Sequence, residues 1–573
     1  MNFVRNFACR QRHHVCELQS SRRLVSGSRL RTRPSCGTNS CERMRRFNHR
    51  CSATPHLCSL GFVLALSAAL IGCGGGGGGS VAAPPPPPPV IPNTEMLSAS
   101  DVNAVVQAAA TAAQSATMTI AVVDRMGRIL AVYGPNPSPQ VVGNFGNMVP
   151  ADDLAVSLAR TGAFFSNAQA PLSSRTVRFI SGVHFPPGVM NAPNAALYGI
   201  ENTNRGCTLS PSLATSVPPA TTISGASPGL GIATGKADTS DSVGTAVNPG
   251  GVPIYKNGQL VGGVGVTGVP FDVAEFAAFT AEEVNVDGVF LNLQAVPPPG
   301  EVVIDGVALP FVNQSTAPAG VTPGTFNAAL YIQGPTGNLG LPPEGDLLPP
   351  TNGPLGGLTA AQVTQILDNA EATANQTRAL IRLPPGVKAK MSIAVSDLDG
   401  TIIGLRRMND GTVFSIDVAA TKARNVIYFS GMARQSMDLN GVPIGTAVTN
   451  RTIGFGAQPF FPPGINGSPP GPFFNLFVQD VNNPCTQGFQ VPGPSWPKIN
   501  QSGIVFFPGS EPLYINGTLV GGLGVSGDGV DQDDFVTAGG TAGFEPPVSI
   551  RADQIIVNGV RLPYLHFPRN PTQ

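Results

Sequence analysis

The chain reads as α+β, two tandem copies of an antiparallel sheet flanked by helices, with long Gly/Pro-rich loop insertions. Three observations carry this reading. The strings "LVGGVGVTG", from Leu260, and "LVGGLGVSG", from Leu519, recur about 259 residues apart. The segments around them repeat in the same order, the mark of an internal duplication. Each string follows an Asn-Gly pair, Asn257-Gly258 or Asn516-Gly517. Asn-Gly between two β-rich runs is the strongest short-range hairpin signal, and hairpins pair antiparallel.

Each half opens on a helix. "LSASDVNAVVQAAATAAQ" and "LTAAQVTQILDNAEATANQ" are apolar-periodic, with Ser98 or Ser100 and Thr359 as candidate N-caps. The alternating runs "MTIAVVD" and "MSIAVSD" follow as strands, then a turn at Gly127 or Gly400 and a second strand. "DLAVSLARTGAFFS" (153–166) and "DVAATKARNVIYFS" (417–430) read as amphipathic helices. Asp153 and Asp417 stand near their starts, where negative charge suits the helix dipole. "RTVRFISGVHFPPG" (175–188) matches "RTIGFGAQPFFPPG" (451–464), and Gly/Pro-rich insertions span 185–247 and 461–503. Each half then returns as a hairpin, "PIYK" or "PLYI" into the glycine string, and closes on a helix. That helix is "FDVAEFAAFTAEEV" (271–284) in the first half and the shorter "VDQDDFVTAGG" in the second. The tails "VVIDGVALPF" (302–311) and "IIVNGVRLPY" (555–564) echo each other. These alignments set a first domain at 97–311, a linker at 312–356 and a second domain at 357–573.

The bulk numbers bound the partners. Of 573 residues only 12% are charged and the formal net charge is zero, so no electrostatic case exists for nucleic acid. The 69 glycines and 56 prolines fit ordered modules decorated by long loops. Residues 44–72 read as a lipoprotein signal peptide: basic Arg45 and Arg46, an apolar run from Leu60 to Ile71, then Leu70-Ile71-Gly72-Cys73, similar to a bacterial lipobox. An apolar run of about 12 residues is too short to span a bilayer. Cleavage before Cys73 and its acylation are therefore expected. Residues 1–43 are expected to be a prelude before initiation at Met44. Residues 73–96 form a tether, with Gly74 to Gly79 and Pro84 to Pro89 in sequence. No aspartate follows Cys73, which favours an outer-membrane lipoprotein facing the periplasm or the surface. Beyond Cys73 two cysteines remain, Cys207 and Cys485, at matching places. One disulfide between the halves and two separately buried thiols are both open readings.

Both glycine strings spell G-x-G-x-x-G. In a dinucleotide site those glycines head a parallel βαβ unit, whereas here they lie on a hairpin arm, and Pro270 separates the first string from its helix. They bare one strand face instead, at Gly263, Gly265, Gly522 and Gly524. Either another element packs there, or a cofactor lies against them. "GASPG" (225–229) fits a nucleophile elbow only in letters, because Pro228 and the Ser/Gly run around it make a loop.

The stretches "LSASDVNAVVQAA", "TIAVVDRMGRILAV" and "NPGGVPIYKNGQLVGGVGVTG", with "LTAAQVTQIL", "SIAVSDLDG", "SIDVAATKARN" and "FPGSEPLYINGTLVGGLGVSG" in the second half, resemble the GlcG/HbpS-type family of small α+β domains. Some members of that family bind haem, and members are often oligomers. The resemblance implies haem as a cofactor, and either a homo-oligomer or an intramolecular pseudo-dimer made by the two fused copies. Haem asks for an apolar slot and an axial donor. The mature chain has two histidines, His184 and His566. His184, in "VHFPPG" among aromatics, is the candidate axial metal ligand; the second copy carries Phe460 there, and a packed loop histidine is the alternative. No spacing for a zinc site and no enzyme class stands out. The expected function is a lipid-anchored envelope protein that binds haem or a related apolar cofactor for capture or sensing. A non-enzymatic protein-interaction or scaffold module without cofactor is the alternative.

Overall fold

The computed structural model describes residues 94–203, 243–282, 300–337, 341–483, 486–489 and 502–572, and the backbone of 285–286 and 289–290. Cys73, Cys207, Cys485 and the "GASPG" loop lie outside the described residues. The segment from Pro89 to Gln573 is one compact unit, so both copies belong to a single body.

In the first half, α1 (Ala99–Ala112) starts at Ser98, whose hydroxyl accepts from the Asp101 amide while the Asp101 carboxylate accepts from the Ser98 amide. The second half repeats this in α5 (Ala360–Ala374) with Thr359 and Gln362. Such reciprocal caps satisfy amides that a helix start leaves orphaned. The first half continues with β1 (Thr119–Asp124), β2 (Ile129–Tyr133), α2 (Ala151–Phe165), the short α3 (Ser174–Phe179), β3 (Gly251–Lys256), β4 (Gln259–Thr267) and α4 (Phe271–Glu282). The second half gives β7 (Met391–Ser396), β8 (Ile402–Arg407), α6 (Phe414–Ser430), α7 (Asn450–Gly456), an inserted α8 (Phe474–Asn482), β9 (Ser510–Ile515), β10 (Thr518–Gly527) and α9 (Val530–Gly540).

Asn257 and Gly258, and Asn516 and Gly517, all take positive φ, the conformation that a tight two-residue hairpin turn requires. Their hairpins β3–β4 and β9–β10 join β1–β2 and β7–β8 into two antiparallel sheets. Residues 312–356, expected to be a linker, do more. β5 (Tyr331–Gln333) adds an edge strand to β2, and β6 (Gly345–Leu348) adds one to β8. The sheets are therefore five-stranded with matching orders, β5-β2-β1-β4-β3 and β6-β8-β7-β10-β9.

Helices α1 and α4 cover one face of the first sheet, with Val102, Val106 and Ala277 against Ile120, Val122 and Val264. Helices α5 and α9 do the same in the second half. The opposite faces carry α2 and α6, and a central apolar cluster draws Ala155, Ala159 and Phe165 together with Ala394, Val413 and Phe414. There the Phe165 and Phe414 rings stack at 4.0 Å, and the Val413 amide donates to the Phe164 carbonyl. A second tie is polar: Asp410 accepts from Arg382 at 2.7 Å, from the Ala168 amide and from Arg125.

The helix 417–430, expected to be amphipathic, turns no polar face to solvent, since every residue of α6 is buried. Its polar side chains are met from within. Arg424 Nε donates to the Gly400 carbonyl at 2.8 Å, as Arg160 Nε does to Gly127 in the first half at 3.0 Å. Each arginine thereby clamps the β-turn of its own half.

Candidate functional site

The bare strand faces are filled by the protein itself. A Cβ at Gly263 or Gly265 would fall on the carbonyls of Ala159 or Ala155 in α2. At Gly522 and Gly524 it would fall on those of Ala423 and Ala419 in α6. Helix backbone lies directly on strand backbone, so the close approach inferred from these glycines is real. The cofactor position assigned to them is corrected: no room for a ligand exists between strand and helix.

His184 lies in the loop after α3. Its ring stacks on that of Phe460, centroids 5.9 Å apart and planes 9° apart, so matched positions of the repeat face each other. Nearby, Asn191 and Asn466 exchange bonds reciprocally, the amide of each donating to the side-chain oxygen of the other. His184 Nδ1 is 2.6 Å from the Ala192 carbonyl, and Nε2 is buried with no hydrogen-bond partner. The expected ligand is thus a half-buried ring packed between the copies.

Beside this stack a cavity of about 470 Å³ opens between the halves, a size within the range of ordinary ligand pockets. The first half contributes Ile180 and Phe185 and the tip of the hairpin Val303–Ile304/Val307–Ala308. The second contributes Phe455, Phe506 and Val530, and a polar group of Arg451, Asp531 and His566. Its walls are mainly apolar, with polar groups from both halves: Asn194 and Asp305 from the first, and Arg451, Asp531 and His566 from the second.

The polar group of the second half is built in steps. Arg451, in the first turn of α7, makes ion pairs with Asp534 and Asp531 on α9. Burial opposes its charge, but the two carboxylates outweigh it and hold its pKa above the usual value. Burial lifts Asp534 above the ordinary carboxylate range despite Arg451. Asp534 also accepts the His566 backbone amide at 3.0 Å, which ties the C-terminal tail to α9. Asp531 Oδ2 holds His566 Nδ1 at 3.0 Å. With Nδ1 engaged, Nε2 is the ring nitrogen left for a ligand, and the side chain is 66% exposed. A carboxylate behind one imidazole nitrogen orients the other and raises its basicity.

Reasoning from sequence noted His566 without giving it a role. The available signal was the tail alignment: "VALPFVN" ends in Asn313 where "VRLPYLH" ends in His566. Among the described residues no group of three or more His, Cys, Asp or Glu side chains converges to hold a bare metal ion. Nor is any described helix long and apolar enough to cross a membrane.

Residues 358–542, which hold most of the second half, match the family model described as HbpS-like, haem degrading protein HbpS-like. Two solved structures are similar over about a third of the chain. One is Klebsiella pneumoniae protein ORFY, at 18% identity over 32% of this chain and 88% of that one, with a TM-score of 0.21. The other is a PduOC:heme complex, at 22% identity over 33% of this chain and 94% of that one, also with a TM-score of 0.21. No curated protein matches the chain.

Proposed function

We propose that residues 97–311 and 357–573 are two copies of the HbpS-like domain. On this reading the chain binds haem, or a related flat apolar cofactor, in the cavity between them. Anchored through acylated Cys73 at the outer membrane, it would serve capture or sensing in the envelope.

The observation that carries this reading is His566, whose Nδ1 is engaged by Asp531 and whose tail is fixed by Asp534 at the edge of a mainly apolar cavity. The donor set suits haem, which brings its own iron and asks of the protein one axial donor and an apolar slot. Phe185, Phe455, Phe506 and Val530 supply the slot, and His566 supplies the donor. That no multi-ligand metal cluster occurs among the described residues is no obstacle, because the macrocycle provides the other ligands. His184 is less suited, since its Nε2 is buried beside Phe460. A family match over 358–542 agrees with this reading.

Haemin titration of the purified protein, followed at the Soret band, tests it. Wild type and His184→Ala are expected to saturate alike, and His566→Ala to lose the saturable shift. Absence of a saturable shift in wild type, or a His566→Ala variant equal to wild type, would overturn the proposal.

A further inference from the structure

Contacts that frame this cavity recur at matched positions of the first half. Phe179 meets Phe185 edge-on at 5.9 Å in the first half, as Phe455 meets Phe461 at 5.6 Å in the second. Arg175 pairs with Glu275 as Arg451 pairs with Asp534. Glu275 accepts the Asn313 backbone amide at 3.0 Å, as Asp534 accepts that of His566. The backbone of Asn313 is therefore tethered in the same way as that of His566.

Among the differences between the two frames, two bear on binding an iron cofactor. Where His566 offers an imidazole nitrogen held by Asp531, Asn313 offers a carboxamide, a poor ligand for iron. Where Gly454 brings no side chain, Arg178 brings a guanidinium, partly desolvated and in the field of Arg175 and Glu201. Glycine at 454 has a local cause: a Cβ there would fall on the Phe506 carbonyl, and Phe506 forms a wall of the cavity. In the first half Val247 stands in place of Phe506.

We infer that each chain takes one ligand and not two, at the frame carrying Gly454 and His566, and that Arg178 and Asn313 keep the twin frame empty. This rests on the proposed binding of haem or a similar cofactor. It assigns the stoichiometry to a difference between the copies.

The test is a stoichiometric titration with haemin, read as equivalents per chain at Soret saturation and by native mass spectrometry. Four proteins are compared: wild type, Asn313→Ala, His566→Ala and the double variant Arg178→Ala/Asn313→His. The expected counts are one, one, none and two. Arg178 and Asn313 are exposed, and circular dichroism with a melting curve verifies that each variant is folded. Two equivalents in wild type, or loss of binding in Asn313→Ala, would overturn the inference. A double variant that is folded and still takes one equivalent would overturn the assignment to Arg178 and Asn313. One equivalent retained by His566→Ala would show that the occupied frame is not this one. A wild type that binds nothing removes the proposed function, and this inference with it, and is distinguishable from the other failures.

Discussion

Replacing Lys422 and Asp533 by the residues at equivalent places in the first half, Leu158 and Ala274, is an experiment the matching sheets of the two halves have already set up. All four side chains are buried. In the second half Lys422 Nζ lies 3.0 Å from Asp533 and 2.7 Å from the Val525 carbonyl, with the Phe507 ring centroid 5.0 Å away. Asp533 Oδ1 has no hydrogen-bond partner. Burial depresses the Lys422 pKa and raises that of Asp533, each against the pull of the other. Removing one partner leaves the other desolvated without the ion it is hydrogen-bonded to, which costs about 3–5 kcal/mol. Removing both leaves an apolar contact of the kind the first half already packs, and the net change falls within about 1 kcal/mol. Guanidinium unfolding of wild type, Lys422→Leu, Asp533→Ala and the double variant at pH 7 measures the cycle. Single variants that each lose under about 1 kcal/mol, or a double variant that loses the sum of the two, would refute the reasoning.

Glu511, standing where the first half has Val252, makes a pH prediction. Burial pushes its pKa from 4.5 up to about 7, outweighing the Thr541 hydroxyl and the Arg551 charge, which act the other way. The unfolded chain releases this proton from about pH 4.5 and the folded chain holds it to about pH 7, so the group's contribution to stability declines as pH rises through that window. The decline amounts to about 3 kcal/mol. Glu511→Gln removes it, so the variant gains on wild type by that amount between pH 4.5 and pH 8; an offset that does not change with pH in denaturant unfolding would contradict this. Gly265→Ala and Gly524→Ala each drive a methyl into helix backbone that cannot move aside, and each is expected to cost about 3 kcal/mol or more. Gly182→Ala, whose nearest neighbour is the His184 carbonyl at 3.6 Å, is the control, and a melting series in which all three behave alike would contradict the packing.

What the sequence by itself determined about this protein is what depends on near neighbours. Ser98 and Thr359 cap their helices through residues three positions on. The Asn-Gly pairs turn their hairpins, and the bared glycines announce a close approach. Repetition then made two copies of one layered plan legible. Tertiary structure alone decided the rest. Strands β5 and β6 are three and four residues long and exist because β2 and β8 offer open edges, a property of the sheet and not of their letters. Helix α6 is polar on part of its surface yet wholly buried, because its partners come from distant segments. The glycine face takes helix backbone and not a ligand, a choice the bare face leaves open until the helix is seated. Arg451, Asp531 and His566 meet the hairpin tip near Asp305 only once the halves have packed together. Capping and turn formation are fixed within a few residues of chain, whereas a cavity between two halves of one body depends on how they pack, and the period of a sequence carries no record of that.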